Sequence, residues 1–261
     1  MTSTAPARPK RALGQNFLRD QGLARKIVAA LEVRPGDQVL EIGPGQGALT
    51  RWLRLEAGRF LALEKDPDLA RKVRRQWPEV DVVAMDALRF AWERLGQGWR
   101  LIGNLPYNVA SPLIWEIVAR TTSLEQAVFM VQNEVAQRLS ASPGSRAYGA
   151  LSVWVQSHVQ VRKLFVVGPG NFYPRPRVDS AVIRFLPGPA PLSRDEQQNL
   201  RRLLHICFQQ RRKQIKTILK PLWRPELEGW LSTQNLDPST RPERFSPDQF
   251  QALARLLFAD K

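Results

Sequence analysis

The chain is poor in residues that build metal sites and disulfides. Its 261 residues include one cysteine, Cys207, and two histidines. A single cysteine cannot form an intramolecular disulfide, and so few histidines and cysteines do not make a zinc or iron site, so we expect no metal. Cys207 lies in the apolar stretch Leu203–Phe208. We therefore expect a buried structural thiol there rather than a nucleophile.

The chain also lacks long apolar runs. None approaches the roughly 20 residues that a membrane-spanning helix needs. The first ten residues, Met1–Lys10, contain scattered Pro, Arg and Lys without an apolar segment, so they do not resemble a secretory signal and suggest a short mobile arm. We expect a cytoplasmic protein with no membrane partner. No apolar stripe calls for a dimer, so we expect a monomer.

Acidic residues are scarce relative to basic ones. The chain has 39 Lys and Arg against 24 Asp and Glu, a formal net charge of +15. Such an imbalance is typical of proteins with a polyanionic partner, either nucleic acid or an anionic membrane surface, although a charge spread evenly over a solvated surface is also compatible with it. The basic residues cluster late in the chain, where we expect RNA contacts from Arg211, Arg212, Lys213 and Lys216.

Short apolar runs alternate with longer amphipathic segments through the first two-thirds of the chain. This alternation predicts an α/β protein with a mostly parallel sheet covered on both faces. Two later runs, Val161–Val167 and Ser180–Leu186, predict an antiparallel hairpin at one sheet edge. The five earlier predicted strands are Gln38–Ile42, Arg59–Leu63, Val80–Met85, Arg100–Gly103 and Ala127–Val131, and the predicted helices between them include Gly22–Leu31, Ala48–Leu55 and Asp68–Gln76.

The pattern changes after Leu186. Closely spaced prolines in Pro187–Pro191 predict a linker. Beyond it, Ser193 with Glu196 three residues later forms a capping-box pattern that opens a helix toward Phe208. The further predicted helices are Arg211–Leu219, Glu226–Ser232 and a last one capped by Ser246. We therefore expect two domains, a catalytic domain over residues 1–190 and a small all-α domain over residues 191–261.

A glycine-rich turn follows the first strand of the predicted sheet. In the segment Val39–Thr50, a strand and an acidic residue lead into Gly43, Gly45 and Gly47 and then into a helix. Glycines allow a sharp turn and a close approach of the backbone to a ligand. The spacing differs from that of the dinucleotide-binding fingerprint, and no lysine follows as in a P-loop.

Two carboxylates follow the next strands. Glu64 ends its strand, where a carboxylate can accept hydrogen bonds from both hydroxyls of a ribose. Asp86 ends the next one, where it can accept from the exocyclic amine of an adenine ring. Each could instead be an ordinary polar residue that caps a helix. In this order, the glycine turn and both carboxylates resemble the class I, Rossmann-like methyltransferases that use S-adenosylmethionine.

The fourth strand leads into Asn104-Leu105-Pro106-Tyr107. The carboxamide of Asn104 and the carbonyl of Leu105 could each accept one hydrogen of an exocyclic amine and aim its lone pair at a methyl group. Pro106 restricts the backbone there, and Tyr107 offers a face for a base. The alternative is a simple strand-to-helix turn. The four residues resemble the motif of methyltransferases that modify amino groups of nucleic-acid bases.

Two more segments extend this pattern, Leu13–Leu18 and Asn171–Ser180. In the second, two prolines stiffen a loop that would present Phe172 to the base, opposite Tyr107, so that two aromatic faces hold an extruded adenine. The alternative is that Phe172 anchors the loop on the core.

From Arg11 to the end, the ordered motifs resemble the ribosomal RNA adenine dimethyltransferases, specifically the KsgA/RsmA small-subunit branch. The resemblance implies transfer of methyl groups from S-adenosylmethionine, leaving S-adenosylhomocysteine. The substrate would be two adjacent adenosines near the 3′ end of 16S rRNA in an assembling small subunit. It also implies donor contacts by Asn16, Leu18, Gly43, Glu64, Asp86 and Asn104, to which the glycine turn adds Gly45.

Three alternatives stay open at this point. The related Erm-type enzymes modify an adenine of the large-subunit RNA, and the choice between the branches depends on resemblance alone. A non-catalytic RNA-binding assembly factor would keep the fold without turnover, although it would have no use for Asn104–Tyr107. A DNA adenine methyltransferase would use the same phosphate contacts, because these carry no sequence information.

Overall fold

The computed structural model describes residues 9–10, 13–121, 124–188 and 191–258. Most of the predicted arm Met1–Lys10 and part of the predicted linker Pro187–Pro191 lie outside these residues. The described residues divide into two compact units, one within Met1–Ala136 and Gln160–Pro187, the other within Gln137–Val159 and Gly188–Lys261. The second unit thus includes a segment from the middle of the chain, Gln137–Val159, which lies within the catalytic domain predicted over residues 1–190.

The first unit is built on a mixed sheet. Its strands are β2 (Gln38–Ile42), β3 (Arg59–Glu64), β4 (Asp81–Ala84), β5 (Trp99–Asn104), β6 (Leu124–Gln132), β7 (Val159–Val167) and β9 (Ser180–Pro187). Among the described residues their order is β4-β3-β2-β5-β6-β9-β7. Neighbours from β4 to β6 are parallel, and β9 is antiparallel to β6. The prediction of a mostly parallel sheet with an antiparallel edge is therefore confirmed.

The helices of this unit follow its strands, and their starts are defined by local chemistry. Asp20 caps the first helix by accepting from the amide of Leu23, and Asp66 caps the third, which has Pro67 in its first turn. Pro is favoured there because its missing N–H would have no helical partner. The helices are α1 (Gln21–Ala29), α2 (Thr50–Leu53), α3 (Pro67–Gln76) and α4 (Ala110–Arg120), with α5 (Asn133–Leu139) at the change from one unit to the other.

The parallel register brings four strand ends to one edge of the sheet. Ile42 at the end of β2 lies beside Leu63 of β3 and Gly103 of β5, and Glu64 lies beside Ala84 of β4. The residues that follow these strands are therefore neighbours, as expected for ligand sites in open α/β sheets. A separate two-stranded antiparallel sheet joins β1 (Phe17–Leu18) to β8 (Phe172–Tyr173).

The second unit is helical where it is described. Ser193 Oγ accepts from the amide of Glu196 at 3.1 Å, and the Ser193 amide donates to the Glu196 carboxylate at 2.8 Å, so the predicted capping box is confirmed. Ser246 and Gln249 form a similar reciprocal pair. Cys207 is buried as expected, and burial raises its pKa to about 12. The helices are α6 (Ala150–Gln156), α7 (Arg194–Gln209), α8 (Ile215–Ile218), α9 (Pro225–Thr233) and α10 (Pro247–Phe258).

One predicted helix of this unit is wrong in its first half. The segment Arg211–Leu219 contains helix only over Ile215–Ile218, and Arg211–Gln214 forms a turn. The amides of Ile215 and Lys216 donate to the carbonyls of Thr240 and Pro238. These long-range bonds satisfy the first turn of α8 and so define a new helix start, which the local pattern does not reveal. Among the described residues, no helix is long and apolar enough to cross a membrane.

Candidate active site

A cleft opens at the edge of the sheet where the parallel strands end. It encloses about 1130 Å³, including open space at its mouth. All but one of the predicted catalytic and donor-binding residues line it, namely Asn16, Leu18, Gly43, Gly45, Glu64, Asp86, Asn104, Leu105, Pro106 and Tyr107. The exception is Phe172.

The glycine turn lines the cleft with bare backbone. Gly43 has a φ of 69°, which other residues rarely adopt, and a Cβ built on it would meet no atom within 4 Å. A ligand can therefore approach this peptide closely. Gly47 also has a positive φ, but a Cβ there would overlap the ring of Trp77. The first glycine leaves room for a ligand, whereas the third leaves room for the core.

Glu64 is buried at the end of β3. Its Oε2 accepts from the amide of Gly45 and its Oε1 from the amide of Asp66, both at 2.9 Å. Burial raises the pKa of Glu64, and these two backbone hydrogen bonds partly oppose the increase. Each carboxylate oxygen can accept a second hydrogen bond, so the side chain can still receive both hydroxyls of a ribose.

Asp86 is held in an ionised state by its neighbours. Burial raises the pKa of Asp86. The ion pair with Lys65, at 2.8 Å, and the hydrogen bond from the amide of Leu88 lower it by more than burial raises it, so the net shift is downward. Lys65 also lines the cleft. A donor group of a ligand would share this carboxylate with the lysine ammonium.

Glu41 lies buried beneath the glycine turn and also lines the cleft. Burial raises its pKa to about 8, and the nearby Glu64 raises it as well, while a hydrogen bond from Thr50 Oγ1 at 2.6 Å opposes the shift. Glu41 is therefore predominantly protonated at neutral pH.

The N-terminal segment covers one side of the cleft. Leu13–Leu18 line it, and Lys10 Nζ pairs with Asp66 at 2.8 Å and with Asp68 at 3.0 Å. Gln15 Nε2 donates to the same Asp66 carboxylate at 3.3 Å. These contacts attach the segment to the start of α3, directly after Glu64.

The segment also orients Asn104. Asn104 Nδ2 donates to the backbone carbonyl of Asn16 at 2.9 Å. Because Nδ2 is a donor and Oδ1 an acceptor, this bond determines which way the carboxamide faces. Tyr107 is positioned separately, since its hydroxyl lies 2.6 Å from Ser180 Oγ at the start of β9. The two ends of the Asn104–Tyr107 segment are therefore held by different parts of the fold.

Phe172 does not occupy the predicted position opposite Tyr107. It pairs with Leu18 across the two-stranded sheet, is 3% exposed and belongs to the hydrophobic core. Alternate residues of a strand face opposite sides, so burying Phe172 exposes its neighbour Tyr173, which is 53% exposed. The loop-anchor alternative therefore describes the observed position of Phe172.

The four predicted RNA-binding residues differ in their surroundings. Arg211 donates to the carbonyls of Ser145 and Arg146, at 3.3 and 2.9 Å, within the second unit. Lys216 pairs with Glu228 at 2.9 Å. Arg212 and Lys213 are exposed. Their interaction with RNA stays a prediction.

The donor groups of the cleft fit S-adenosylmethionine. The molecule carries a ribose, an adenine and a cationic methionyl end, for which the cleft offers the Glu64 carboxylate, the Asp86 carboxylate and the open peptide at Gly43. Apolar side chains around Asp86 can cover a planar base, namely Leu69, Met85 and Leu88. In the described part of the chain, no group of three or more His, Cys, Asp or Glu residues could hold a metal ion.

Comparison with known proteins agrees with this geometry. Residues 7–258 match the family model described as ribosomal RNA adenine dimethylase. The chain belongs to that family. It is 52% identical to the ribosomal RNA small subunit methyltransferase A of Oleidesulfovibrio alaskensis, over 98% of this chain and 93% of that protein. The dimethylase is thus an S-adenosylmethionine-dependent rRNA methyltransferase with a class I fold.

Two solved structures resemble the dimethylase along nearly its whole length. A dimethyladenosine transferase from Plasmodium falciparum has a TM-score of 0.75 at 24% identity, covering 92% of this chain and 96% of that one, a likeness that concerns the fold. The 23S rRNA methyltransferase ErmE has a TM-score of 0.73 at 27% identity, covering 93% and 99%.

Several residues that line the cleft of the dimethylase, or attach a segment that lines it, were not singled out from the sequence. Lys65, Gln15 and Lys10 reach the site through ion pairs and hydrogen bonds whose partners are distant in the chain. Glu41 carried a signal, since it precedes the glycine turn, but its burial and raised pKa depend on tertiary packing. Residue type and spacing alone could not identify the other three.

Proposed function

We propose that the protein dimethylates N6 of two adjacent adenosines near the 3′ end of 16S rRNA in the assembling small ribosomal subunit. The observation that carries the proposal is the orientation of Asn104, whose Nδ2 is committed to Asn16 at the edge of a cleft suited to the methyl donor. The 52% identity to a small-subunit enzyme, against 27% to ErmE, supports the small subunit over the large one.

The residues of the Asn104–Tyr107 segment prepare the target amine. S-adenosylmethionine, when bound, supplies an electrophilic methyl group on a sulfonium that is already a good leaving group. Asn104 Oδ1 and the Leu105 carbonyl each accept a hydrogen bond from one amine N–H, which pulls the nitrogen toward tetrahedral geometry and aims its lone pair. After transfer, the methylated amine releases one proton to water. Positioning is the main requirement, so the site needs no strong general base. A monomethylated amine has one hydrogen left, and one of the two acceptors suffices for it.

The remaining predicted residues hold the reactants. Pro106 restricts the backbone at the acceptor carbonyl, and the Tyr107 ring stacks on the adenine, its hydroxyl anchored at Ser180. Contact of Phe172 with the base requires a rearrangement of β8, because the ring is buried. Donor binding is assigned to the cleft residues Asn16, Leu18, Gly43, Gly45, Glu64, Asp86 and Asn104.

In this proposal, basic side chains of the second unit bind RNA phosphates. Arg212 and Lys213 are exposed and available, whereas Arg211 and Lys216 would contribute beside their protein partners. We assign these contacts to the helical domain, predicted over residues 191–261 and extended by Gln137–Val159. The protein acts as a monomer in the cytoplasm, where small subunits are assembled.

The decisive experiment is methyl transfer from labelled S-adenosylmethionine to small subunits that lack the modification. Wild-type protein should label adjacent adenosines of 16S rRNA. Asn104→Ala should lower kcat roughly 100-fold, the size of effect seen when a preorganised polar group is removed from a reaction site. Asn104→Asp is the matched variant, because it keeps oxygen acceptors but cannot donate to Asn16.

Each alternative has its own signature in this experiment. Wild-type protein that binds the donor and the subunit without transferring methyl groups would indicate an assembly factor. Label in large-subunit RNA or in DNA would indicate one of the other substrates. Unchanged transfer by Asn104→Ala would contradict the role given to the carboxamide.

A further inference from the structure

Tyr173 is a large aromatic side chain that the fold leaves in solvent. It is 53% exposed, whereas its neighbour Phe172 is buried in the core. A tyrosine that only anchored its loop would bury its ring. The exposed ring has no role in the donor cleft, since Tyr173 does not line it.

The two-stranded sheet places Tyr173 on the same face as a residue of the cleft wall. Phe17 and Tyr173 are directly paired in the antiparallel register, and directly paired residues project to the same side. Phe17 lines the cleft, with ring atoms 3.2 Å from where a Cβ of Gly45 would lie. The exposed ring is therefore continuous with the cleft wall through one cross-strand pair.

The other end of the Tyr173 loop also meets the site. Ser180, at the start of β9, lies 2.6 Å from the hydroxyl of Tyr107. The loop from Tyr173 to Ser180 thus connects the cleft wall at Phe17 with the proposed base-binding tyrosine. An adenosine inserted beside Tyr107 therefore lies close to one end of this loop.

The charge around Tyr173 is suited to RNA. The guanidinium of Arg19 lies 5.5 Å from the centre of the Tyr173 ring, in a cation–π contact. Arg175 and Arg177 are exposed on the loop, and Asp179 is the one acidic residue of segment 173–179. An exposed aromatic ring among cations is the combination that single-stranded nucleic acid uses, with stacking for the base and ion pairs for the phosphates.

We propose that Tyr173 is a stacking platform for the nucleotide adjacent to the target adenosine, and that Arg175 and Arg177 contact the neighbouring phosphates. This inference rests on the proposed function. When the target adenosine enters the cleft, its neighbour loses a stacking partner. The Tyr173 ring replaces that partner and so holds the strand while the amine is aligned.

The test is steady-state methylation of unmodified small subunits by Tyr173→Ala, Tyr173→Phe and wild-type protein. Loss of one base stack should raise KM for the subunit about tenfold in Tyr173→Ala. Tyr173→Phe keeps the ring and should stay within about twofold of wild type. Leu55→Ala, a truncation of another exposed apolar residue, should match wild type. Calorimetric binding of S-adenosylmethionine should be equal in all four proteins, which shows that the cleft is intact.

The outcomes separate this inference from the proposed function. A Tyr173→Ala protein with wild-type KM, or a Tyr173→Phe protein as impaired as Tyr173→Ala, would overturn the platform. An equal rise of KM in Leu55→Ala would do the same, because the effect would then not be local. If wild-type protein transfers no methyl groups at all, the proposed function fails instead.

The phosphate contacts have an independent test that needs no change at Tyr173. The double variant Arg175→Gln and Arg177→Gln tests them through its affinity for unmodified small subunits at several salt concentrations. Each lost contact with a single-strand phosphate should reduce the slope of log affinity against log salt concentration by about 0.7, so the double variant should reduce it by about 1.4. An unchanged slope would remove both arginines from the interface.

Discussion

Asn104 illustrates how one side chain acquires a defined chemistry. Its carboxamide could face either way, and the hydrogen bond from Nδ2 to Asn16 selects one orientation. That bond depends in turn on the N-terminal segment, which Lys10 and Gln15 attach to Asp66. The geometry proposed for the amine therefore depends on a segment that does not itself react.

Glu41 allows a test of burial at the same scale. Its folded pKa, about 8, lies above the ordinary value of 4.5, so between these pH values the folded state retains a proton that the unfolded state releases. Its contribution to stability is thus present below about pH 4.5 and is lost as pH rises toward 8, with a slope of about 1.4 kcal/mol per pH unit. Glu41→Gln should remove this slope.

The measurement is urea unfolding of both proteins from pH 5 to pH 8. The difference in unfolding free energy between Glu41→Gln and wild type should grow with pH, in favour of the variant. Glu64 titrates in both proteins and so contributes mainly to the shared part of the two curves. Parallel curves over the whole range would show that Glu41 is already ionised in the folded protein.

Among the elements, the turn between β2 and α2 combines two requirements. Gly43 faces open space in the cleft, whereas Gly47 makes room for Trp77, and both have a positive φ. The same residue type thus serves ligand access at one position and core packing at the other. The sequence pattern cannot separate these uses, because both appear as a glycine.

Alanine substitutions should separate them. Both Gly43→Ala and Gly47→Ala should lose roughly 1–2 kcal/mol of unfolding free energy, because alanine is strained in the left-handed backbone conformation. Gly47→Ala must also displace the Trp77 ring, which adds about 1–3 kcal/mol, so it should show the larger loss of Tm. Gly43→Ala should instead lose at least about tenfold in donor affinity, or about 1.4 kcal/mol, because its Cβ points into the cleft.

Thermal unfolding and calorimetric titration with S-adenosylmethionine distinguish the two variants. Wild-type stability in Gly47→Ala would contradict the packing described for Trp77. Wild-type donor affinity in a folded Gly43→Ala protein would show that the ligand does not approach this peptide.

At the scale of the whole molecule, the excess of positive charge indicates a polyanionic partner. The family match identifies this partner as ribosomal RNA. Some of the cations also stabilise the protein itself, as Arg211 does by donating to two carbonyls. Net charge alone therefore overstates how many cations are available to RNA.

Arg212→Gln with Lys213→Gln tests the exposed pair. If both residues contact single-stranded RNA phosphates, the slope of log affinity for unmodified small subunits against log salt concentration should fall by about 1.4. Arg71→Gln with Arg75→Gln on α3 is the control of equal charge, and it should leave the slope nearly unchanged. Equal slopes in both double variants would indicate a general effect of net charge rather than a contact at this turn.

Much of this protein could be predicted from local patterns. The strands of the sheet, the glycine turn, the capping box at Ser193 and the helix cap at Ser246 depend on residues close in the chain, and the structure has them where they were expected. The helices α4, α5 and α6 were not predicted. In α4 no side chain caps the start, although its buried residues do fall at helical spacing, namely Ala110, Leu113, Ile114, Ile117 and Val118.

The sequence by itself determined the fold class, the family motifs and the chemistry available at the strand ends, since these follow from residue type and spacing. Only the tertiary structure decided that Phe172 is buried and Tyr173 exposed, that Arg211 lies in a turn and donates to two carbonyls, and that Asn16 orients Asn104. The physical reason is that burial and hydrogen bonding are settled between groups far apart in the chain, where a local pattern carries no information about the partner.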